Sequence, residues 1–73
     1  MTEKERLEVV ADILEMTTDE LSKDMILEDI DTWDSIAVLS VISVMNEKYK
    51  RYPMAKEIRK NKTVGDLIEF LQA

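Results

Sequence analysis

The chain has 73 residues, so we expect one small domain over residues 1–73, near the size at which a single hydrophobic core is just sufficient. Hydrophobic residues make up 45% and charged residues 36%, which is typical of a globular chain and excludes a disordered one. Because cysteine and histidine are both missing, disulfides, thiolate nucleophiles and imidazole bases are excluded, and an enzyme would have few catalytic groups.

The net charge of −6 is unevenly distributed along the chain. Residues 1–35 hold 12 acids and 3 bases, whereas residues 36–62 hold 2 acids and 7 bases. Net repulsion from phosphate opposes binding to nucleic acid, so we expect no nucleic-acid partner. The sequence also has no apolar run of membrane-spanning length and no signal-peptide core, so we expect no membrane partner and a cytoplasmic location.

The first predicted helix begins at a capping box, in which the Glu5 side chain reaches back to the backbone of Thr2. We expect this helix to end near Met16. Its apolar side follows the i, i+3, i+4, i+7 spacing of a helix, at Leu7, Val10, Ala11 and Leu14.

Residues 17–34 show only weak periodicity, which predicts a long loop between the first two helices. We expect a short turn at residues 18–21, and we expect Trp33 to pack against the loop. The other apolar residues of the loop should fold back over the core: Leu21, Met25, Ile26, Leu27 and Ile30.

The second predicted helix runs from Ser35 and stops before Pro53, with Asp34 or Ser35 as its N-cap. One face is apolar and predicts a core contact: Val38, Val41, Ile42, Met45 and Tyr49. Ile36 breaks this pattern because it falls in the middle of the polar face, where an exposed aliphatic side chain needs a reason.

Two shorter helical patterns complete the chain. Residues 54–60 predict a short third helix with Ala55 and Ile58 facing inward, and Thr63 with Asp66 predicts the capped start of the last helix. The buried face of the last helix is expected to comprise Val64, Leu67, Ile68 and Leu71. The predicted fold is therefore all-α, a small four-helix bundle of three longer helices and one short helix.

Asp34, Ser35 and Ile36, at the start of an apolar helix in the middle of a small acidic chain, resemble the Asp-Ser-Leu signature of the acyl carrier protein family. The resemblance covers nearly the whole chain, because the length, the helix order and the helix start at Thr63 also fit. It implies that Ser35 carries a 4'-phosphopantetheine arm, which a separate phosphopantetheinyl transferase attaches from coenzyme A.

The missing side chains agree with this implied role. A chain without cysteine that carries acyl groups as thioesters needs an added arm to supply the sulfur. Without a histidine to activate Ser35, the base must come from the modifying enzyme. The resemblance thus implies a monomeric carrier and not an enzyme, loaded by an acyl- or aminoacyl-activating enzyme and unloaded by a downstream transferase.

The exposed face of the second helix differs from that of carriers in fatty-acid synthesis, which bear acids there. The matching positions here are Ala37, Ser40 and Asn46. A basic strip of Lys56, Arg59, Lys60 and Lys62 comes after Lys48, Lys50 and Arg51. We therefore expect a dedicated carrier in a specialised biosynthetic pathway. Its expected partner contacts are Asp34, Ile36, Ser40, Glu47, Arg59 and Lys60.

Two other interpretations remain open from the sequence. The chain is either an unmodified helical protein-interaction module, in which Ser35 is only a helix cap, or an enzyme that acts through carboxylates alone. Acceptance of the arm at Ser35 would favour the carrier over the interaction module. Steady turnover by the unmodified protein would indicate the enzyme.

Overall fold

Four α-helices and two 3₁₀ turns form within residues 2–72, the range that this computed structural model describes. The helices are α1 (Glu3–Ile13), α2 (Ser35–Tyr49), α3 (Ala55–Ile58) and α4 (Val64–Phe70), and the turns are Thr18–Glu20 and Leu27–Asp29. This range contains no strand, so the predicted all-α class with three longer helices and one short helix is confirmed. None of its helices is long and apolar enough to cross a membrane.

Helix α1 starts as predicted but ends three residues early. The Glu5 carboxylate accepts the Thr2 backbone N–H at 3.0 Å, and the Thr2 hydroxyl oxygen accepts the Glu5 N–H at 3.2 Å. The helix ends at Ile13 and not near Met16, because Glu15 adopts a left-handed conformation with φ 57°. The Met16 N–H then bonds to the Ala11 carbonyl at 2.9 Å, which closes the helix as a Schellman motif.

The connection between α1 and α2 is hydrogen-bonded to the start of α4. Residues 23–27 run beside residues 62–65, and Ile26 and Thr63 form an isolated antiparallel bridge. Backbone N–H groups of Leu27, Val64 and Gly65 donate to the carbonyls of Lys62, Met25 and Lys23 at 2.9–3.0 Å. A Cβ at Gly65 would lie 3.2 Å from the Lys23 carbonyl oxygen, so the glycine permits this close approach.

The core draws on all four helices and on the connection. Its buried residues are Val10, Leu14, Leu27, Val38, Val41, Met45, Ile58, Val64, Leu67, Ile68 and Leu71. The buried face predicted for α4 is confirmed in full. Trp33 is half-buried and packs against this core together with Leu21, Met25 and Ile30, whereas Ile26, predicted to fold inward, is 43% exposed. The Cα radius of gyration is 10.9 Å, close to the value of about 11 Å for a compact domain of this length.

Helix α3 is a single turn, shorter than the predicted range 54–60. Ile58 is fully buried as expected, but Ala55 is exposed, so its predicted inward position is wrong. The helix is shorter than predicted because the chain tightens after Ile58: the N–H groups of Lys60 and Asn61 bond three residues back, to Glu57 and Ile58. The Asn61 side chain also donates to the Ile58 carbonyl at 2.9 Å and ends the turn.

Helix α2 ends at Tyr49, before Pro53 as predicted, where Lys50 adopts a left-handed conformation. The Tyr49 hydroxyl donates to the Leu71 backbone carbonyl at 2.9 Å. This bond joins the C-terminal ends of α2 and α4, so it holds the end of α2 that is far from Ser35.

Candidate functional site

Asp34, and not Ser35, is the N-cap of α2. Its backbone is extended, and its side-chain oxygen accepts the Ala37 N–H at 3.0 Å. The sequence left the two residues open as caps, and the structure assigns the role to Asp34. Ser35 is thus the first residue of the helix, with an exposed side chain that the cap does not use.

The residue that contacts Ser35 lies directly after a different helix. Arg59 follows α3 directly, and its guanidinium Nη2 donates to the Ser35 hydroxyl oxygen at 3.3 Å. Both side chains are exposed. Ser35 was expected from the sequence as the attachment point and Arg59 as a partner contact, but the contact between them was not predicted, because it depends on how α3 packs against α2.

The first turn of α2 also carries buried side chains next to the exposed pair Ser35 and Arg59. Ala37 and Val38 are 3% and 2% exposed, so the turn is anchored by buried side chains. Ala37 was matched to an exposed position of the carriers in fatty-acid synthesis, and that placement is wrong here. Ala37 lines a groove together with Ile13, the last residue of α1.

An exposed apolar surface adjoins Ser35 on the same helix. Ile36 is 72% exposed, which agrees with its position on the polar face, and Leu39 is 62% exposed. Because residues three apart share a helix face, the two side chains extend one surface. Leu39 was not predicted as an exposed residue, although its spacing of three from Ile36 was a signal that could have identified it.

An open groove of about 300 Å³ lies on the α1 side of this turn. Its acidic residues are Asp12, Glu15 and Asp34. Ser40 also lines it and is half-buried, with a hydroxyl that donates to the Ile36 carbonyl at 3.1 Å. The surroundings of Ser35 are therefore asymmetric, with carboxylates towards α1 and a guanidinium towards α3.

The other two expected partner contacts lie at different distances from this site. Lys60 is exposed and adjacent to Arg59 in the chain. Glu47 is exposed near the far end of α2, about 18 Å from Ser35 along the helix axis at 1.5 Å per residue. The structure thus brings together Asp34, Ser35, Ile36 and Arg59, and it does not bring Glu47 to them.

The chemistry available at the site is that of an exposed primary hydroxyl beside a cation. The positive end of α2 and the Arg59 guanidinium both favour negative charge close to the Ser35 oxygen. The described part of the chain has no group of three or more acidic residues arranged to hold a metal ion. No protein-family model, curated protein or solved structure matches this chain.

Proposed function

We propose that this chain is a monomeric cytoplasmic carrier of the acyl carrier protein type, folded as a four-helix bundle with a long first loop. Ser35 is the attachment point of a covalent 4'-phosphopantetheine arm, on which an acyl or aminoacyl group is presented as a thioester in a specialised biosynthetic pathway. One observation carries the proposal: the Ser35 hydroxyl is exposed at the first residue of α2, beside Arg59.

The residues around Ser35 suit a phosphodiester. Arg59 supplies a cation at 3.3 Å from the oxygen that would be esterified, and the free N–H groups of the helix start favour an anion. The Asp34 carboxylate is turned to the Ala37 N–H, so part of its charge is used within the cap. The arm supplies a thiol, which this chain lacks.

In the loading reaction, the Ser35 oxygen forms a bond to the phosphorus at the pantetheine end of the coenzyme A pyrophosphate. The bond from that phosphorus to the bridging oxygen breaks, and adenosine 3',5'-bisphosphate leaves. The hydroxyl proton passes to a base of the transferase, since this chain has no histidine to accept it. The chain itself contributes the fixed position and the exposure of the hydroxyl.

The proposed partner surface follows from the exposed groups around this hydroxyl. Asp34, Ile36 and Ser40 lie within two helical turns of Ser35. Arg59, the residue after α3, contacts Ser35, and Lys60 is the next residue in the chain. Glu47 extends the surface along α2. The transferase, an activating enzyme and a downstream transferase would each approach this side, because the arm begins there.

A second candidate is an unmodified protein-interaction module. The observation in its favour is the exposed pair Ile36 and Leu39, since aliphatic side chains on one face suit a partner protein whether or not Ser35 is modified. Under this alternative Ser35 is only a residue of the first turn, and Asp34 alone explains why the helix starts there.

A measurement of the intact mass distinguishes the two candidate functions. The protein is incubated with coenzyme A, Mg²⁺ and a broad-specificity phosphopantetheinyl transferase, and its intact mass is recorded. We expect one added arm on the wild type and on the control Ser43→Ala, an exposed serine of the same helix, and none on Ser35→Ala. No addition to the wild type, also with a transferase from the same organism, contradicts the carrier and favours the interaction module.

A further inference from the structure

We propose that Arg59 holds the phosphodiester at the base of the arm. In the unmodified chain the guanidinium donates to the Ser35 hydroxyl oxygen, and after loading it donates to a non-bridging oxygen of the phosphate bonded there. This assignment rests on the proposed function. It makes Arg59 a positioning residue that sets the direction in which the arm leaves the protein.

The contact places a guanidinium beside the oxygen that would carry the phosphate. At 3.3 Å the bond from Arg59 to Ser35 is longer than the usual 2.9–3.0 Å of an N–H···O bond. A phosphorus bonded to that oxygen places its charged oxygens one bond further out, within reach of a guanidinium already in contact. Bonds between a guanidinium and a phosphate are shorter and stronger than neutral ones, and the planar fork of arginine suits them.

The position of Arg59 is set by packing and not by its own charge. Its backbone N–H donates to the Ala55 carbonyl at 3.0 Å, and the preceding residue, Ile58, is fully buried. The guanidinium is also not neutralised by a carboxylate. Across residues 2–72 the only ion pair joins Lys23 to Glu3, far along the chain from this helix.

The charges on the α1 side of α2 favour one direction for the arm as it leaves the protein. Asp12, Glu15 and Asp34 line the groove towards α1, so a phosphodiester is repelled from that side and attracted towards Arg59. The arm therefore starts over α3 and not in the acidic groove. A partner enzyme that takes the arm's cargo is expected to approach from the side of α3.

A nuclear magnetic resonance measurement tests this placement without any enzymatic readout. The side-chain N–H signals of Arg59 are compared between the unmodified protein and the loaded protein, whose complete loading is checked by mass. We expect the Arg59 signals to shift on loading. The signals of Arg51, which donates to the Gln72 carbonyl at 3.0 Å, serve as the control and should stay in place.

Each outcome has a separate meaning. If the protein cannot be loaded, the proposed function fails and this inference with it. If loading is complete and the Arg59 signals do not move, Arg59 does not hold the phosphate, although Ser35 still carries the arm.

Thermal unfolding of variants gives a second, independent readout. In the wild type we expect loading to raise the melting temperature, because the phosphate gains a partner. The rise should be lost in Arg59→Ala, partly kept in Arg59→Lys, and fully kept in Lys56→Ala, a matched exposed cation of α3. An Arg59 that is merely structural would instead lower the melting temperature equally in both forms, and that result overturns the proposal.

Discussion

The Thr32 hydroxyl donates to the Leu14 backbone carbonyl at 2.6 Å, in a partly buried bond that links the segment before α2 to the end of α1. Leu14 caps α1, so its carbonyl has no partner within the helix. The position of Asp34 and Ser35 is therefore set by the end of α1 as well as by α2 itself.

Replacing Thr32 by valine should destabilise the protein. Thr32→Val keeps the side-chain shape and leaves the Leu14 carbonyl without its donor, at a cost of about 1–3 kcal/mol in the free energy of unfolding. Urea unfolding measures this difference. Thr18→Val, at an exposed threonine of the first 3₁₀ turn, is the control and should change stability by less than about 0.5 kcal/mol. Equal effects of the two substitutions would show that the Thr32 bond contributes nothing specific.

Two substitutions of Asp34 distinguish its role as the helix cap from the role of its negative charge. Asn caps helices as well as Asp does, so Asp34→Asn should retain stability, whereas Asp34→Ala should lose about 1 kcal/mol. If the transferase also contacts the carboxylate, both variants should be loaded more slowly than the wild type. Unfolding curves and loading rates are measured on the same samples. Loading of Asp34→Asn at the wild-type rate would remove Asp34 from the partner surface.

The exposed aliphatic pair should matter for partners and not for folding. Because Ile36 and Leu39 are 72% and 62% exposed, Ile36→Ala and Leu39→Ala should change stability by less than about 0.5 kcal/mol. The fully buried Ile58 is the contrast, since Ile58→Ala should cost about 2–5 kcal/mol. We expect the KM of the transferase for the two surface variants to rise. An unchanged KM for both places the contact surface elsewhere.

Acid should weaken the protein partly through Asp66. Its carboxylate accepts the backbone N–H groups of Lys62 and Thr63, both at 3.2 Å, and these bonds hold its pKa below the ordinary 3.8. Because the pKa is lower in the folded state, the stabilisation is complete above pH about 3.8 and is lost as the pH falls through the folded-state pKa.

This pH dependence is measured by urea unfolding of the wild type and Asp66→Asn between neutral and acidic pH. We expect the gap in stability between the two proteins to be largest at neutral pH and to shrink on acidification. Glu69→Gln, at an exposed acid of the same helix, is the control. A gap that is constant with pH means that the charge of Asp66 is not what stabilises the start of α4.

The local features of this fold could be predicted from the sequence because they depend on neighbours in the chain. The capping boxes at Thr2 and Thr63 join residues three apart, and the buried face of α4 follows from helical spacing. The end of α1 was predicted less well. It depends on the left-handed conformation of Glu15, a residue type that gives no signal for it, unlike glycine.

The arrangement of the site could be predicted only in part, because half of it is formed by packing between helices. Ser35 and the exposed Ile36 were identified from one short stretch of sequence. The contact from Arg59 joins residues 24 apart and requires knowledge of where α3 lies. The burial of Ala37 has the same origin, because it also depends on how helices pack and not on neighbours in the chain.

Ser35 is proposed as the single attachment point of the arm, and fragmentation of the loaded protein in a mass spectrometer locates that attachment point. The chain has four serines, at positions 22, 35, 40 and 43, and backbone fragments on either side of each one locate an added mass. We predict that the 4'-phosphopantetheinyl group resides on Ser35 alone. An added group on any other serine, or a wild-type chain that stays unmodified under complete transferase activity, would contradict the account.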